Sequence, residues 1–404
     1  MTTDPKANKK PANPTNGTKP KTSRGQVVLV FQGGGALGAY QAGVYQAIHE
    51  AGIEPDWIIG TSIGAINASL IAGNKPENRL HALEDFWQRM TRKSFLDFGS
   101  PWPMVAQSMS FMNTAIGGIP GFFAPNLAAA WGQNAILGPE EAAYYSTSPL
   151  EKTLTELVDF EMLSTCQPRL TVGAAHVTSS MMRYFDSRDT KLSAKHILAS
   201  GALPPAFPAV RIDGELYWDG GILSNTPTEV VFDDNPRRNS LIFAVNLWNP
   251  KGAEPETIGE VLHRQKDIQY SSRVANQIAR QLQSHRLRHV IKNLVEKIPE
   301  PARNSAEVRE LASWGCVTQM HIVRLLAPSL PHEDNTKDVD FSTSGIRQRW
   351  DAGYENTMSI IKSAPWESEF DPLEAVILHG VSPEEAPVKA VMAENDVVNA
   401  AATH

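Results

Sequence analysis

The chain has 404 residues, of which 42% are hydrophobic and 20% charged, and its net charge is -7. This length suits one large domain with an extension, and the acidic balance argues against nucleic acid as the main partner. The two cysteines, Cys166 and Cys316, are too few and too far apart for a disulfide scaffold or a metal cluster. We therefore expect a reducing, cytoplasmic setting, with no metal and no cofactor.

Residues 1–24 are rich in Lys, Pro, Asn and Thr and contain almost no apolar residues. Without a hydrophobic segment this stretch is not typical of a secretory signal peptide. Its composition predicts a disordered basic tail.

Two strand–helix pairs follow the tail. The runs Val27–Phe31 and Trp57–Gly60 are continuously apolar, which is typical of buried parallel strands. Helical spacing predicts a helix from Gly38 to Ala51 and another from Ile63 to Ala72. Strand, helix, strand, helix in this order predicts a mostly parallel sheet with helices on both faces.

Residues 98–139 contain no charged residue, after a helix predicted to close at Phe86–Lys93. Prolines and glycines interrupt the stretch, so a single transmembrane helix is not expected. Two interpretations stay open: an insertion packed in the core, or an apolar lid that meets lipid.

The predicted catalytic domain spans residues 25–249. Its second half alternates strands and loops. The predicted elements are a strand at Leu170–His176, a helix at Lys195–Ser200, an irregular loop at Ala199–Pro208, a hairpin at Val210–Trp218 turning at Asp213-Gly214, and a last core strand at Leu241–Leu247.

Residues 250–365 form a predicted, largely helical C-terminal extension. Its first helix or helix pair, Thr257–Lys297, carries many cations and apolar residues at helical spacing. We expect it to dock on the core with a solvated basic face. A strand at Met320–Ala327 and a helix at Ile346–Lys362 follow, and residues 366–404 are predicted to be a loose acidic tail.

The sequence Gly60-Thr61-Ser62-Ile63-Gly64 lies between a predicted buried strand and an apolar helix. That context places Ser62 on a sharp turn at the edge of the sheet with its hydroxyl exposed, as a nucleophile requires. The competing interpretation is a serine that caps an ordinary helix.

The glycine loop, defined as residues 33–38, comprises Gly33, Gly34, Gly35, Ala36, Leu37 and Gly38. Its glycines fit the dinucleotide-binding fingerprint, which also needs an acidic residue at the end of the second strand. Here Asp56 lies at the start of that strand and Ser62 follows its end. We therefore favour a loop whose N–H groups stabilise an oxyanion.

The serine needs a base. Among the histidines, His176 is the best placed, at the end of a core strand, yet a structural role is expected for it. The sequence Asp219-Gly220-Gly221 also follows a strand, and its carboxylate would be held at the sheet edge.

Together, the glycine loop, the Ser62 turn and Asp219-Gly220-Gly221 resemble the motifs of the patatin-like phospholipase family. The likeness covers about Gln26 to Leu247, and the segment Asp340–Tyr354 looks like an extension of some bacterial members. The resemblance implies a three-layer α/β/α fold and lipid acyl hydrolysis by a Ser-Asp dyad without histidine. Ser62 would be the nucleophile, Asp219 the base and the glycine loop the oxyanion hole.

The expected substrate is a phospholipid or lysophospholipid, because the uncharged insertion suits an acyl chain and the basic helix suits a phosphate headgroup. A carboxylesterase acting on short-chain or hydroxyalkanoate oligomer esters is the first alternative. A nucleotide-binding module and an α/β-hydrolase with a Ser-His-Asp triad are the others. Peripheral contact with a membrane is left open.

Overall fold

The computed structural model describes residues 25–91, 116–330, 333–370 and 374–380, with the backbone alone for residues 272–277. The predicted N-terminal tail, part of the uncharged insertion and the last residues of the tail lie outside these ranges. All statements below concern the described residues.

A nine-stranded mixed sheet organises the chain. Its strands are β1 (Gln26–Phe31), β2 (Trp57–Thr61), β5 (Arg169–His176), β6 (Met182–Asp186), β7 (Val210–Ile212), β8 (Glu215–Asp219), β9 (Ser240–Asn246), β10 (Met320–Leu326) and β11 (Val376–His379). The spatial order is β11-β10-β9-β1-β2-β5-β8-β7, with β6 also paired to β5. The six strands from β11 to β5 are parallel; β6 and β8 each pair antiparallel with β5, and β7 pairs antiparallel with β8. This confirms the predicted, mostly parallel α/β fold.

Helices fill both faces of the sheet. They are α1 (Ala39–Glu50), α2 (Ile63–Ala72), α3 (Pro76–Met90), α4 (Ser148–Leu157), α5 (Phe160–Leu163), α6 (Ala194–Ser200), α7 (Glu229–Phe232), α8 (Ile258–Lys297), α9 (Glu300–Arg303), α10 (Ala306–Ser313) and α11 (Thr343–Ser363). The short strands β3 (Ala124–Pro125) and β4 (Tyr145–Ser146) pair with each other outside the main sheet.

Successive residues of a strand are buried against helices on opposite faces of the sheet, because their side chains point alternately to the two faces. On one face Leu29 and Phe31 join a core built with α1, α2 and α3. On the other face Val28 and Val30 pack with residues of α7. Phe232 of α7 in turn contacts the ring of His285 on α8, so these helices cover the second face. The sheet is therefore the middle layer of three.

The C-terminal extension is part of this sheet. Strand β10 pairs with β9 along its whole length, from Met320 opposite Ser240 to Leu326 opposite Asn246. Helix α11 packs against α1 so closely that a Cβ on Gly43 would clash with the Trp350 carbonyl. The predicted catalytic and C-terminal regions thus share one core. The domain division itself stays a prediction.

Two predictions for this region are wrong. The predicted strand at Met320–Ala327 is confirmed as β10, but Leu241–Leu247 was expected to be the last core strand, and β10 and β11 continue the sheet beyond it. The loose tail was expected from residue 366, yet Trp366 is buried against Phe243 and Val376–His379 forms the parallel edge strand β11. Four residues give too short a pattern to predict a strand, and pairing with β10 stabilises it.

The long helix is confirmed as one helix, with Thr257 and Glu260 forming its N-terminal capping box. Its docked side differs from the expected apolar face. Ile278 is buried, but Val261, Ile268 and Leu287 are about half exposed. Buried polar side chains share the docked side with Ile278: His285 and His289, seven and eleven residues later, both hydrogen-bond the carbonyl oxygen of Thr318. Apolar spacing alone therefore predicted only part of the docked side.

A candidate active site

Ser62 lies on the tight turn between β2 and α2 with φ 57 and ψ -125. Such a backbone conformation is uncommon for a residue with a side chain and costs about 1–3 kcal/mol. The turn requires its glycines, because a Cβ on Gly60 would clash with the Gly64 carbonyl and one on Gly64 with the Phe31 carbonyl. Ser200 also fixes the turn: its Oγ accepts from the Ser62 N–H at 3.0 Å. Close packing and the hydrogen bond to Ser200 thus hold Ser62 in this strained conformation.

Asp219 ends strand β8 opposite Ala174 of β5 and is only 3% exposed. Its carboxylate accepts a hydrogen bond from the Gly221 N–H at 2.7 Å, and it lines the same pocket as Ser62. Burial raises the pKa of Asp219 from 3.8 to about 6, and the polar groups of Ser62 and Gly221 oppose the rise. Asp219 is therefore a better proton acceptor than an exposed aspartate while remaining ionised at neutral pH.

The glycine loop borders the same pocket through Gly33, Gly34 and Gly35. The N–H of Gly33 is already bonded to the backbone and side-chain oxygens of Asn225, at 3.2 and 3.1 Å. The N–H groups of Gly34 and Gly35 have no acceptor among the described residues. Gly34 is the N-cap and Gly35 the first residue of a 3-10 helix, whose first amides lack intrahelical partners. They are free donors among the loop residues that line the pocket.

The other predicted loop residues, Ala36, Leu37 and Gly38, are buried and do not line the pocket. The Leu37 N–H is bonded within the turn, to the Gly34 carbonyl. Of the serine turn, Ser62 and Ile63 reach the pocket, and so does Gly221 of the aspartate loop. Gly60, Thr61, Gly64 and Gly220 shape the backbone behind it.

Asn225 ties the glycine loop to the aspartate loop, a role that the sequence did not suggest. Its side chain brackets Gly33, accepting from the N–H and donating to the carbonyl at 3.2 Å. The Trp248 indole donates to the same carbonyl at 2.8 Å. A Cβ added to Gly221 would lie 2.8 Å from the Asn225 Oδ1. The amide therefore sits directly between the two loops.

The C-terminal extension contributes one wall of the pocket. Tyr270 of α8 and three residues of the segment 333–341, here called the strap, line it: Asp338, Val339 and Phe341. The strap passes so close to the glycine loop that a Cβ on Gly35, whose φ is +55, would clash with the Asp338 carbonyl. Only a glycine fits there. The sequence had marked residues 340–354 as part of an extension, without a role.

Aromatic side chains form most of the remaining wall. Phe122 and Phe123, from the described part of the uncharged insertion, pack against Phe207, and Phe123 also contacts Tyr145. The full lining is Gly33, Gly34, Gly35, Ser62, Ile63, Ile66, Phe122, Phe123, Tyr145, Gly201, Leu203, Ala206, Phe207, Asp219, Gly221, Asn225, Trp248, Tyr270, Asp338, Val339 and Phe341. An apolar chain with a polar end at Ser62 would suit these surroundings.

Among the described residues that line the pocket there is no histidine. His176 instead bonds Ser179 at 2.7 Å and Glu215 at 2.9 Å on a strand end away from the pocket. The described ranges hold no cluster of His, Cys, Asp and Glu suited to a metal ion. No helix within them is both long and apolar enough to span a membrane.

Several cations of α8 are occupied by protein contacts. Arg264 donates to the carbonyls of Asn249 and Pro250. Lys266 donates to the carbonyl of Asn335 and to the carboxylate of Asp338. These side chains hold the extension to the rest of the molecule, so the predicted solvated basic face is smaller than its composition indicates.

Comparisons with known proteins agree with this arrangement. A family model described as patatin-like phospholipase matches residues 29–232, and a second, described as patatin phospholipase, matches residues 268–373. Lysophospholipase NTE1 of Meyerozyma guilliermondii is 23% identical over 236 residues, which are 58% of this chain and 14% of that protein. Patatin-like phospholipase domain-containing protein 7 of Rattus norvegicus is 27% identical over 207 residues, 50% of this chain and 12% of that protein. The similarity to these much longer relatives is thus confined to a small part of their length.

Among solved structures, VipD from Legionella pneumophila is similar over 93% of this chain and 75% of its own, with 17% identity and a TM-score of 0.39. A similarity at this level adds nothing to the functional argument.

Proposed function

Since this chain belongs to the patatin-like phospholipase family, we propose that it hydrolyses carboxylic esters of lipids through Ser62 and Asp219. The observation that carries this proposal is that Ser62, the buried Asp219 carboxylate and the glycine loop line one apolar pocket. Names of relatives that include phospholipase and lysophospholipase support phospholipids or lysophospholipids as the substrate class.

In the proposed first step, Ser62 Oγ attacks the ester carbonyl and its proton passes to Asp219. The free N–H groups of Gly34 and Gly35 would stabilise the oxyanion, and each such donor is typically worth about 3 kcal/mol. The alcohol leaves with a proton from Asp219, giving an acyl-Ser62 intermediate. Water, activated by Asp219, then releases the fatty acid and restores the serine.

The first test compares wild type with Ser62→Ala and Asp219→Asn on esters of graded acyl length. We expect each variant to lose at least about 1000-fold in kcat/KM, because nucleophile and base act as one unit. Fluorophosphonate should label wild type and leave Ser62→Ala unlabelled. His176→Gln is the matched control and should retain activity, since His176 lies away from the pocket.

Because Asp219 must be ionised to accept the proton, activity should fall as pH falls through its raised pKa of about 6. Below that value the expected decline in kcat/KM is about tenfold per pH unit.

Each alternative gives a different result. A His176→Gln enzyme as inactive as Ser62→Ala would indicate a Ser-His-Asp triad. A nucleotide-binding module would bind ligand with Ser62→Ala and show no fluorophosphonate labelling. Activity confined to short soluble esters would favour the carboxylesterase alternative, because the dyad itself does not select a headgroup.

A further inference from the structure

A closed loop borders the pocket and carries exposed apolar side chains. We call residues 126–144, which connect β3 to β4, the rim loop. Asn126 joins its two ends: its N–H donates to the Tyr144 carbonyl at 2.9 Å, and its side-chain amide donates to the carbonyls of Glu141 and Ala143 at 2.9 Å each. The loop is thus a compact unit whose ends lie side by side.

The rim loop adjoins the pocket at both ends. Phe122 and Phe123 immediately before β3, and Tyr145 immediately after the loop, are pocket residues. The N–H groups of Tyr144 and Tyr145 also bond the carbonyls of Pro205 and Ala206, in the loop that supplies Ala206 and Phe207 to the pocket wall. The surface of the rim loop is therefore continuous with the apolar lining.

Three large apolar side chains of the rim loop face solvent. Leu127 is 85% exposed, Trp131 is 84% exposed and Ile136 is fully exposed. No charged residue occurs from Ala124 to Pro139. Burying such side chains is favourable, and an uncharged concentration of them on a surface is typical of an interaction site.

We propose that the rim loop inserts Leu127, Trp131 and Ile136 into the surface of a lipid aggregate and so places the pocket on its substrate. This inference rests on the proposed lipid-ester hydrolysis. A lipid surface is the occupant that fits, because an acyl chain could then pass from lipid to the aromatic wall without crossing water. Tryptophan is also enriched at lipid–water interfaces.

The test replaces the three side chains together, Leu127→Ser, Trp131→Ser and Ile136→Ser, in the full chain. All three side chains are exposed, so the fold should survive. The chain offers a matched control in Leu311→Ser, Trp314→Ser and Val317→Ser, whose side chains are 58%, 69% and 61% exposed at and after α10. Binding is measured by co-sedimentation with phosphatidylcholine vesicles, and activity on vesicles and on a short, fully dissolved ester.

We expect the rim variant to bind vesicles at least about tenfold more weakly and to lose vesicle activity in proportion. Its activity on the dissolved ester should stay within about twofold of wild type, and the control variant should match wild type throughout. Because the rim loop contains no Lys, Arg or His, adding anionic lipid should leave the difference between the variants unchanged.

The proposal is overturned if the wild type does not bind vesicles, if the rim variant binds as well as wild type, or if the control variant loses binding equally. Binding that needs anionic lipid and survives the rim substitutions would assign membrane contact to the cations of α8 instead. Failure of the proposed function would give a different result. A wild type without esterase activity would also be inactive on the dissolved ester. Vesicle binding is independent of the chemistry, so Ser62→Ala should still bind vesicles.

Discussion

Asn225 connects the two loops that carry the proposed chemistry. Its side chain forms both an acceptor and a donor contact with Gly33, while the next two amides, of Gly34 and Gly35, remain free for an oxyanion. A side chain that fixes the peptide before these amides controls their direction. We therefore propose that Asn225 is a positioning residue, which would affect the reaction through the glycine loop.

Replacing Asn225 with aspartate keeps its shape but removes the donor and places a carboxylate beside the Gly33 carbonyl. Losing a buried hydrogen bond costs about 1–3 kcal/mol, so we expect kcat to fall about ten- to hundredfold with KM nearly unchanged. Steady-state kinetics and the rate of fluorophosphonate labelling of Ser62 measure this effect.

Asn74→Asp is the matched control, because Asn74 also donates to two carbonyls, of Leu70 and Leu157, and is absent from the pocket lining. It should lower stability without changing kcat. Equal kcat values for Asn225→Asp and wild type would contradict the positioning role.

At the scale of elements, the strap is fixed beside the pocket by ion pairs with two helices. Lys337, 3% exposed, donates to Asp267 at 2.8 Å and to His263 at 3.1 Å on α8. From α11, Arg349 reaches Glu333 at 3.2 Å and Asp340 at 3.3 Å. These contacts surround the strap residues that line the pocket.

Lys337→Met leaves the buried Asp267 without its lysine, and breaking a buried pair typically costs about 3–5 kcal/mol. We expect a lower urea midpoint and a KM for long-chain esters raised about tenfold, with less change for short ones. Adding Asp267→Leu removes the unpaired charge. It should raise the urea midpoint and lower the KM part of the way back to the wild-type values. Lower stability with a wild-type KM would show that the strap does not shape the pocket.

The ion pairs of Arg89 on the surface provide the control for the Lys337 and Asp267 substitutions. Its side chain is 35% exposed and bonds Asp85 and Glu156, and exposed pairs are worth about 0–1 kcal/mol. Arg89→Met should change neither the urea midpoint nor the KM appreciably.

The sequence predicted the elements next to the motifs because local spacing determines them. Apolar runs and glycines around Ser62 specify a strand, a turn and a helix without reference to distant residues. Tyr270, Phe341 and Asn225 could not be found in this way, because only the folded chain brings them to the pocket. The polar part of the docked side of α8 was missed for the same reason, since His285 and His289 hydrogen-bond the carbonyl of Thr318, a residue distant in the sequence.

At the scale of the whole molecule, the C-terminal extension contributes elements to all three layers of the fold. It adds β10 and β11 to the sheet, supplies α8 for the second face and packs α11 on α1. The same region provides Tyr270 and the strap to the pocket. Core and site therefore depend on residues beyond the predicted boundary at 249.

A chain ending at residue 249 would leave β9, buried at all seven positions, as an exposed edge strand. Unpaired apolar edges promote aggregation, and the bare faces of the sheet and α1 would add apolar surface. We expect this fragment to aggregate, to bind a hydrophobic dye and to show no esterase activity, as size-exclusion chromatography and fluorescence would measure. Removal of residues 381–404 is the control, because it leaves every described contact in place. A soluble, monomeric 1–249 fragment with wild-type kinetics would show that the extension is dispensable for both the core and the pocket.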